Sequence, residues 1–399
     1  MHIYFSGIGG VGLGPLAEIA SDAGHDVSGS DIQTSPTFLQ LQKAGFDVSL
    51  DHSGGHIATV HAKRPIDWLV YTAALPEQHP ELAFAESHHI RVSKRDEFMQ
   101  KIIKDSHQKL IAVAGTHGKT TTTAMIVWLF KQLGLPVSYL VGAPMSWAPS
   151  GAFDKTSQYF IYECDEFDRN FLQFQPYLAA ITSLDYDHPD TYPTPESYAQ
   201  AFDQFKTQSQ SVILWEQVDP QRVRLPGAHN RSNGAVAARV VSQLTGTPLA
   251  TASRLLITFP GTSRRFEKLA DNLYSDYAHH PAEIAATLEL ARELSEHVVV
   301  VYQPHQNTRQ HQLVYDHCFD HAEKVYWLPT YLSREDPSLP VLTASQLTSK
   351  LDLKKIIEAK LDDVLWHHIL DERKAGKLVI IMGAGSIDGW ARHQLARLS

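Results

Sequence analysis

Apolar runs alternate along this chain with stretches of helical spacing, and three such units stand out. The first, "HIYFSGIGGVGLGPLAEIASDAGHDVSGSD", reads as strand, glycine turn, helix and a second strand ending at Asp31. The second, "KLIAVAGTHGKTTTTAMIVWLF" from Lys109 to Phe130, is an apolar run, a Gly-flanked turn and an apolar helix. The third begins after "FPGTSRRFE", runs through "LYSDYAHHPAEIAATLELAREL" and "HVVVVYQPH", and ends with "KLVIIMGAGS". Apolar runs alternating with helical patterns predict an α/β protein of parallel sheets covered by helices. At 399 residues the chain is long enough for two or three domains. The polar "KDSHQ" and the turn-forming "FPGTS" place boundaries near 106 and 259, giving segments 1–106, 107–258 and 259–399.

Composition narrows the partners. A formal charge of −9 does not suit nucleic acid or an anionic membrane. No segment has the roughly 18 consecutive apolar residues that a membrane span needs, and "MHIYFSGIGGVG" reads as strand and turn, not as a signal peptide. Cys164 and Cys318 form no C-x-x-C pair and no disulfide framework. A soluble, cytoplasmic protein is the expectation.

The candidate chemistry starts at Gly115-Thr116-His117-Gly118-Lys119-Thr120-Thr121. The common phosphate-loop pattern has glycine where Val113 stands, but Gly115 and Gly118 still let the backbone turn tightly and aim N–H groups inward. The helix that follows adds its N-terminal dipole and free N–H groups. Lys119 can neutralise β/γ-phosphate charge and Thr120 can ligate Mg²⁺; the bland alternative is an ordinary strand-to-helix turn with a lysine. Two acidic runs follow apolar runs downstream. "FIYECDEFDRNF" offers Glu163, Asp165, Glu166 and Asp168, and "LAAITSLDYDHPDTY" offers Asp185, Asp187 and His188. Carboxylates suit hard Mg²⁺, and an imidazole can complete a second site; alone, each run would be a solvated loop. In the first unit Gly7, Gly9, Gly10 and Gly12 satisfy G-x-G-x-x-G, with Asp31 about 20 residues on, the dinucleotide fingerprint. The same backbone nest binds any pyrophosphate, so a nicotinamide dinucleotide and a UDP-sugar both fit. His279-His280, pointing different ways on a strand, make no zinc pair by spacing; His88-His89 and His367-His368 read as surface residues.

The motifs "SGIGGVG", "GTHGKTTTT", "ECDEFDRNFL", "ITSLDYDHPDTY", "LPGAHNRSNGAVAA", "FPGTSRRFE", "DYAHHPAEIAATL" and "YQPHQNTR" occur in an order that resembles the Mur ligases, over nearly the whole chain. Within that family the likeness is strongest to the branch that joins L-alanine to UDP-N-acetylmuramate. The resemblance implies a UDP-sugar-binding Rossmann-like domain, a central P-loop ATPase domain and a C-terminal Rossmann-like domain, with ATP and Mg²⁺ as cofactors. It implies that Gly115–Thr121 bind ATP, with Lys119 on the β/γ-phosphates, Thr120 and Glu163 on one Mg²⁺ and His188 on a second. His229, Asn230 and Asn233 would face adenine, Arg265 would approach the γ-phosphate, and Asp276 would bind ribose or phosphate-side groups. Gly7, Gly9, Gly10, Gly12, Asp31, His52 and Thr72 would bind the UDP-sugar. His279, His305 and Arg309 would meet the muramoyl carboxylate or the incoming alanine, brought over the phosphate loop by domain closure.

Departures from the family pattern touch the acceptor side more than the ATP chemistry. The segment between "SVILWEQVDP" and "LPGAHN" is short, so part of the central domain is missing. Ala74, His56 and His79 differ from the residues common in the uridine region, Ser275 replaces the first acid of an Asp-Asp pair, and Gln306-Asn307 stand where Arg-Tyr is frequent. Asn307-Thr308 is similar to the murein-peptide ligase, which takes a peptide amine. A UDP-sugar-binding protein that has lost catalysis is the third reading.

Overall fold

The computed structural model describes residues 1–72, 75–188, 191–333 and 335–397, so Ala74 lies outside the described residues. In the first segment, apolar runs become β1 (His2–Ser6), β2 (Asp26–Ser30), β3 (Asp47–Ser49), β4 (Trp68–Tyr71) and β5 (Arg91–Lys94). They form a parallel sheet of order β3-β2-β1-β4-β5. Helices cover both faces, which is why Ile3, Tyr4 and Phe5 on consecutive positions of β1 are all fully buried. The strand order reverses direction at β1, and the glycine turn leaves its carboxyl end there, the position where open α/β sheets bind ligands.

A second sheet holds β6 (Lys109–Ala114), β7 (Ser138–Leu140), β8 (Gly151–Ala152), β9 (Tyr159–Glu163), β10 (Leu178–Ile181) and β11 (Val212–Leu214), in the order β11-β10-β6-β9-β7-β8. Its pairs are parallel except β7 with β8. Strand β6 is flanked by β9 and β10, so the loop that follows it sits between the two acidic runs that follow its neighbours. The short stretch after β11 consists of two 3₁₀ turns, Trp215–Gln217 and Pro220–Arg222, before the helix Ala228–Thr245.

The third sheet contains β12 (Glu267–Ala270), β13 (Leu273–Asp276), β14 (Val298–Tyr302), β15 (Lys324–Trp327), β16 (Ile356–Glu358) and β17 (Leu378–Met382). Its order is β12-β13-β17-β14-β15-β16, with β12 antiparallel to β13 and the rest parallel. Strands β14 and β17 are buried along their whole length between two apolar layers.

Residues 1–222 and 233–259 make one compact unit, and 223–232 and 260–399 a second. In the first unit one apolar core runs from Ile3, Phe5 and Phe98 to Leu110, Tyr162 and Phe202, so the first two sheets share their packing. Gly151 lies so close to the helix Leu13–Asp22 that an added Cβ would sit 2.9 Å from the Pro15 carbonyl. Cys164 and Cys318 are buried free thiols. Among the described residues no helix is long and apolar enough to cross a membrane.

Candidate active site

The turn after β6 is possible only with glycine at its ends. Gly115 has φ +132° and Gly118 φ +83°, in the region that favours glycine. A Cβ on Gly115 would lie 2.4 Å from Thr182 Oγ1, and one on Gly118 2.2 Å from Asn233 Oδ1. Hydroxyls brace the loop from outside. Thr116 Oγ1 lies 2.6 Å from the Asp185 carbonyl and 2.8 Å from the Tyr198 hydroxyl, and the His117 amide donates to Ser183 Oγ at 2.8 Å. The His117 ring stands 3.9 Å from the Asp185 carboxylate. Thr120 and Thr121 open the helix Lys119–Gln132, whose first amides face the loop.

The acidic runs converge on this loop. Thr120 Oγ1 donates to Glu163 Oε1 at 2.8 Å, and the Gly142 amide donates to Glu163 Oε2 at 3.0 Å. A hydroxyl oxygen beside a carboxylate is a donor set that fits a hard divalent cation. Lys119 Nζ donates to the Gly115 carbonyl at 2.7 Å and to both oxygens of Glu166, at 3.0 and 2.8 Å. Glu166 is fully buried. Burial opposes the Lys119 charge, but Glu166, with Asp165 and Glu163, outweighs it and raises the ammonium pKa. Burial likewise raises the Glu166 carboxyl, and Lys119 and His188 reverse this into a lowered pKa. His188 Nε2 lies 3.7 Å from Glu166 Oε1, and Asp165, Glu166 and His188 together have the spacing of a second cation site. Burial lowers the His188 pKa, but these carboxylates with Asp187 raise it overall. Sequence alone offers Glu166 only as one candidate Mg²⁺ ligand among neighbouring acids; nothing local marks it as the buried partner of Lys119.

At the carboxyl end of the first sheet, Gly7 (φ +89°) lies where a Cβ would stand 2.6 Å from Thr72 Cγ2. The Gly7 and Ile8 amides donate to the Ser30 carbonyl, and the Gly10 amide to the Gly7 carbonyl. Gly12 ends the turn beside the Arg95 guanidinium. Asp31 accepts from the Gly9 amide on Oδ2 and from the Ile32 amide on Oδ1, both at 2.8 Å, so it braces the glycine turn. His52 Nδ1 lies 2.9 Å from His79 Nε2. Glu81, fully buried, accepts from the Tyr4, Ser30 and Ser6 hydroxyls.

In the second unit His279, His305 and Arg309 come together. Arg309 reaches His279 Nε2 at 3.1 Å, and the His279 and His305 ring centres are 6.0 Å apart. His305 stacks on Tyr331, and burial pushes its pKa down to about 4. Burial also lowers the His279 pKa, against the pull of Glu283. The adjacent histidines are not on a strand, contrary to the sequence expectation. Both lie past the end of β13, and His280 caps the helix Pro281–Leu294 through the Ala282 amide. Asp276 is buried and accepts from the Phe266 and Ala278 amides and the Thr287 hydroxyl. Arg265 lies over the Tyr277 ring at 5.2 Å. His229, with its pKa pushed down to about 4 by burial, and Asn230, bonded to the Pro226 carbonyl, group with this unit. Asn233, on the same helix, groups with the first. Asn307 is buried, and its side chain holds the Pro340 carbonyl and the Leu342 amide. His88, His89, His367 and His368 are exposed, as expected.

Comparison with known proteins agrees with this arrangement. Three family models match in series: "Mur ligase family, catalytic domain" over residues 2–107, "Mur ligase middle domain" over 113–220, and "Mur ligase, glutamate ligase domain" over 264–385. A UDP-N-acetylmuramate–L-alanine ligase of Nocardioides sp. is 31% identical, with 97% of this chain and 94% of that one aligned. The alignment runs over 426 positions against 399 residues, so that relative carries residues this chain lacks. Among solved structures, a UDP-N-acetylmuramate–alanine ligase from Thermotoga maritima superposes with a TM-score of 0.78 at 24% identity, covering 100% of this chain and 99% of that one. A murein peptide ligase from Psychrobacter arcticus gives 0.67 at 23% identity, covering 100% and 98%. Three matched domains in order, a near-full-length relative and a shared three-sheet fold lead to one conclusion: this chain belongs to the Mur ligase family.

Proposed function

We propose that this protein is an ATP-dependent ligase that joins L-alanine to the carboxylate of UDP-N-acetylmuramate, in the synthesis of peptidoglycan precursors in the cytoplasm. The observation that carries the reading is the loop after β6, where Lys119 reaches back to the Gly115 carbonyl and on to Glu166 while the next residue, Thr120, donates to Glu163. Its branch of the family is supported by relatives named as alanine ligases at about 30% identity over nearly the full length. In this reading residues 1–106 bind the UDP-sugar, 107–258 bind ATP and 259–399 complete the ligase.

A free carboxylate resists amine attack because it is anionic and lacks a leaving group. Transfer of the ATP γ-phosphoryl makes an acyl phosphate; the neutral amine of alanine attacks its carbonyl carbon, and phosphate leaves from the tetrahedral intermediate. Positioning and charge neutralisation supply most of the catalysis in such transfers. Lys119 and the amides of Gly115–Thr121 would hold the phosphates. Mg²⁺, held by Thr120 and Glu163 with His188 at a second position, would offset charge on the transferring group. Arg265 would meet the γ-phosphate, His229, Asn230 and Asn233 the adenine, and Asp276 the ribose or the phosphate side. Gly7, Gly9, Gly10, Gly12, Asp31, His52 and Thr72 would form or brace the UDP-sugar cradle. Arg309 would fork onto a carboxylate of the acceptor or the amino acid, beside His279 and His305, which are neutral at working pH and so do not repel an amine.

Phosphate release with ATP, Mg²⁺ and UDP-N-acetylmuramate, offering alanine, glycine, serine and a murein tripeptide in turn, tests the reading. Alanine-dependent release is expected. Release with the tripeptide alone would make this a murein-peptide ligase, and binding of UDP-N-acetylmuramate without release under any amine would make it a binding protein.

A further inference from the structure

The loop after β3 and the start of the helix Pro80–Ser87 hold a chain of hydrogen bonds whose direction can be read from one end. Pro80 at the first helical position has no N–H, so the first free amide is that of Glu81, which donates to His79 Nδ1 at 3.3 Å. An amide can only donate, so Nδ1 of His79 carries a lone pair. His79 is 8% exposed and burial lowers its pKa, so the ring is neutral and its proton sits on Nε2. That Nε2 stands 2.9 Å from His52 Nδ1, which must therefore accept. The proton of a neutral His52 is left on its own Nε2. This atom is buried and has no hydrogen-bond partner among the described residues.

The chain is anchored firmly. Glu81 is fully buried and takes hydroxyls from Tyr4 and Ser6 on β1 and from Ser30 at the end of β2. The Ser30 carbonyl in turn takes the Gly7 and Ile8 amides, so the start of the helix and the glycine turn are tied to one carboxylate. A buried unpaired donor costs about 1–3 kcal/mol, and a site that keeps one has a use for it.

We propose that His79 is a positioning residue that fixes the tautomer of His52, so that His52 offers an Nε2–H donor to an oxygen of the UDP-sugar bound at the carboxyl end of the first sheet. The inference rests on the proposed UDP-sugar site, and its first readout does not. Histidine-selective ¹⁵N labelling, with His52→Gln to assign the signal, reports which ring nitrogen of His52 is protonated in the free protein. His79→Asn is the test variant, because asparagine still caps the helix but cannot fix the His52 ring through an imidazole N–H.

The wild-type protein is expected to show His52 as the Nε2–H tautomer, and His79→Asn a mixture of the two. In the variant, the Kd for UDP-N-acetylmuramate by titration calorimetry should rise about tenfold, the size of one weakened hydrogen bond. The KM for ATP and kcat at saturating substrate should stay unchanged. Nδ1–H on wild-type His52, or a tautomer unmoved by His79→Asn, overturns the lock. A mixed tautomer with unchanged Kd overturns the role in binding the UDP-sugar. If the protein turned over with no amine, the proposed reaction would fall while the tautomer and Kd measurements still decided this point.

Discussion

Lys119 and Glu163 stand at the same loop yet differ in what they leave behind when removed. Lys119→Ala strips the cation from Glu166, a fully buried carboxylate left with His188 nearby at 3.7 Å. Breaking a buried pair in this way costs about 3–5 kcal/mol. Glu163 is held by neutral donors, the Thr120 hydroxyl and the Gly142 amide, so Glu163→Ala strands no charge. Both variants should lose on the order of 10²–10³ in kcat, the usual effect of deleting a preorganised charge-stabilising group. Only Lys119→Ala should also lower the urea midpoint by a corresponding amount. Near-normal turnover of either at saturating ATP and Mg²⁺ would remove its assigned role. Arg309 poses a different question, since its guanidinium already donates to His279 Nε2. Arg309→Ala should raise the KM for alanine or UDP-N-acetylmuramate while that for ATP holds; unchanged constants for both would return Arg309 to a packing role.

At the scale of elements, the strand-turn-helix units could be read in the sequence because each is encoded within about 20 residues, in an apolar run, a glycine pair and a helical period. Thus β1 with its turn, and β6 with Gly115 and Gly118, lie where the pattern put them. What could not be read depends on contacts across the fold. Glu166 is 47 positions from Lys119, and nothing local distinguishes a paired buried acid from a solvated one. The link from His52 to His79 and Glu81 is hidden for the same reason, whereas the place of His279-His280 past the strand end is signalled locally by Pro281, which opens the helix that His280 caps. The turn itself gives a sharp test. Gly118→Ala would force a side chain into the left-handed region and within 2.2 Å of Asn233 Oδ1, so both stability and phosphate release should fall. Gly134→Ala, at the far end of the same helix with φ +66° and open space around it, should cost only the strain, about 1–2 kcal/mol, with turnover intact. Equal losses of activity in the two variants would show that the loop conformation does not matter to catalysis.

At the scale of the whole molecule, each compact unit carries its own signature. In the first, Asp31 spends one carboxylate oxygen on the Gly9 amide and the other on the Ile32 amide, which leaves it poorly placed to read the ribose of a nicotinamide dinucleotide. Calorimetry should show UDP-N-acetylmuramate binding and no useful NAD affinity; the reverse result would reassign the first sheet. The second unit should report on pH. His229 and His305 are pushed down to about 4 by burial, and His279 is lowered in the same way, against an unfolded value of about 6.5. Between those values the unfolded chain binds more protons than the folded one, so stability rises with pH. The histidine contribution is complete above about pH 6.5 and is lost as pH falls toward about 4. Asp276, whose carboxyl burial raises, and His317, which Asp320 and Asp316 hold above its ordinary value, work in the opposite sense, as two groups against three. The lowered Glu293 and Glu335 add to the acid loss at the bottom of the range. Urea unfolding followed by tryptophan fluorescence should therefore give a midpoint that falls from about pH 7 to about pH 4.5. His305→Phe, which keeps a ring to stack on Tyr331 but cannot be protonated, should flatten that fall. A midpoint constant over this window, or a slope untouched by His305→Phe, would mean that the buried histidines already carry protons in the folded protein.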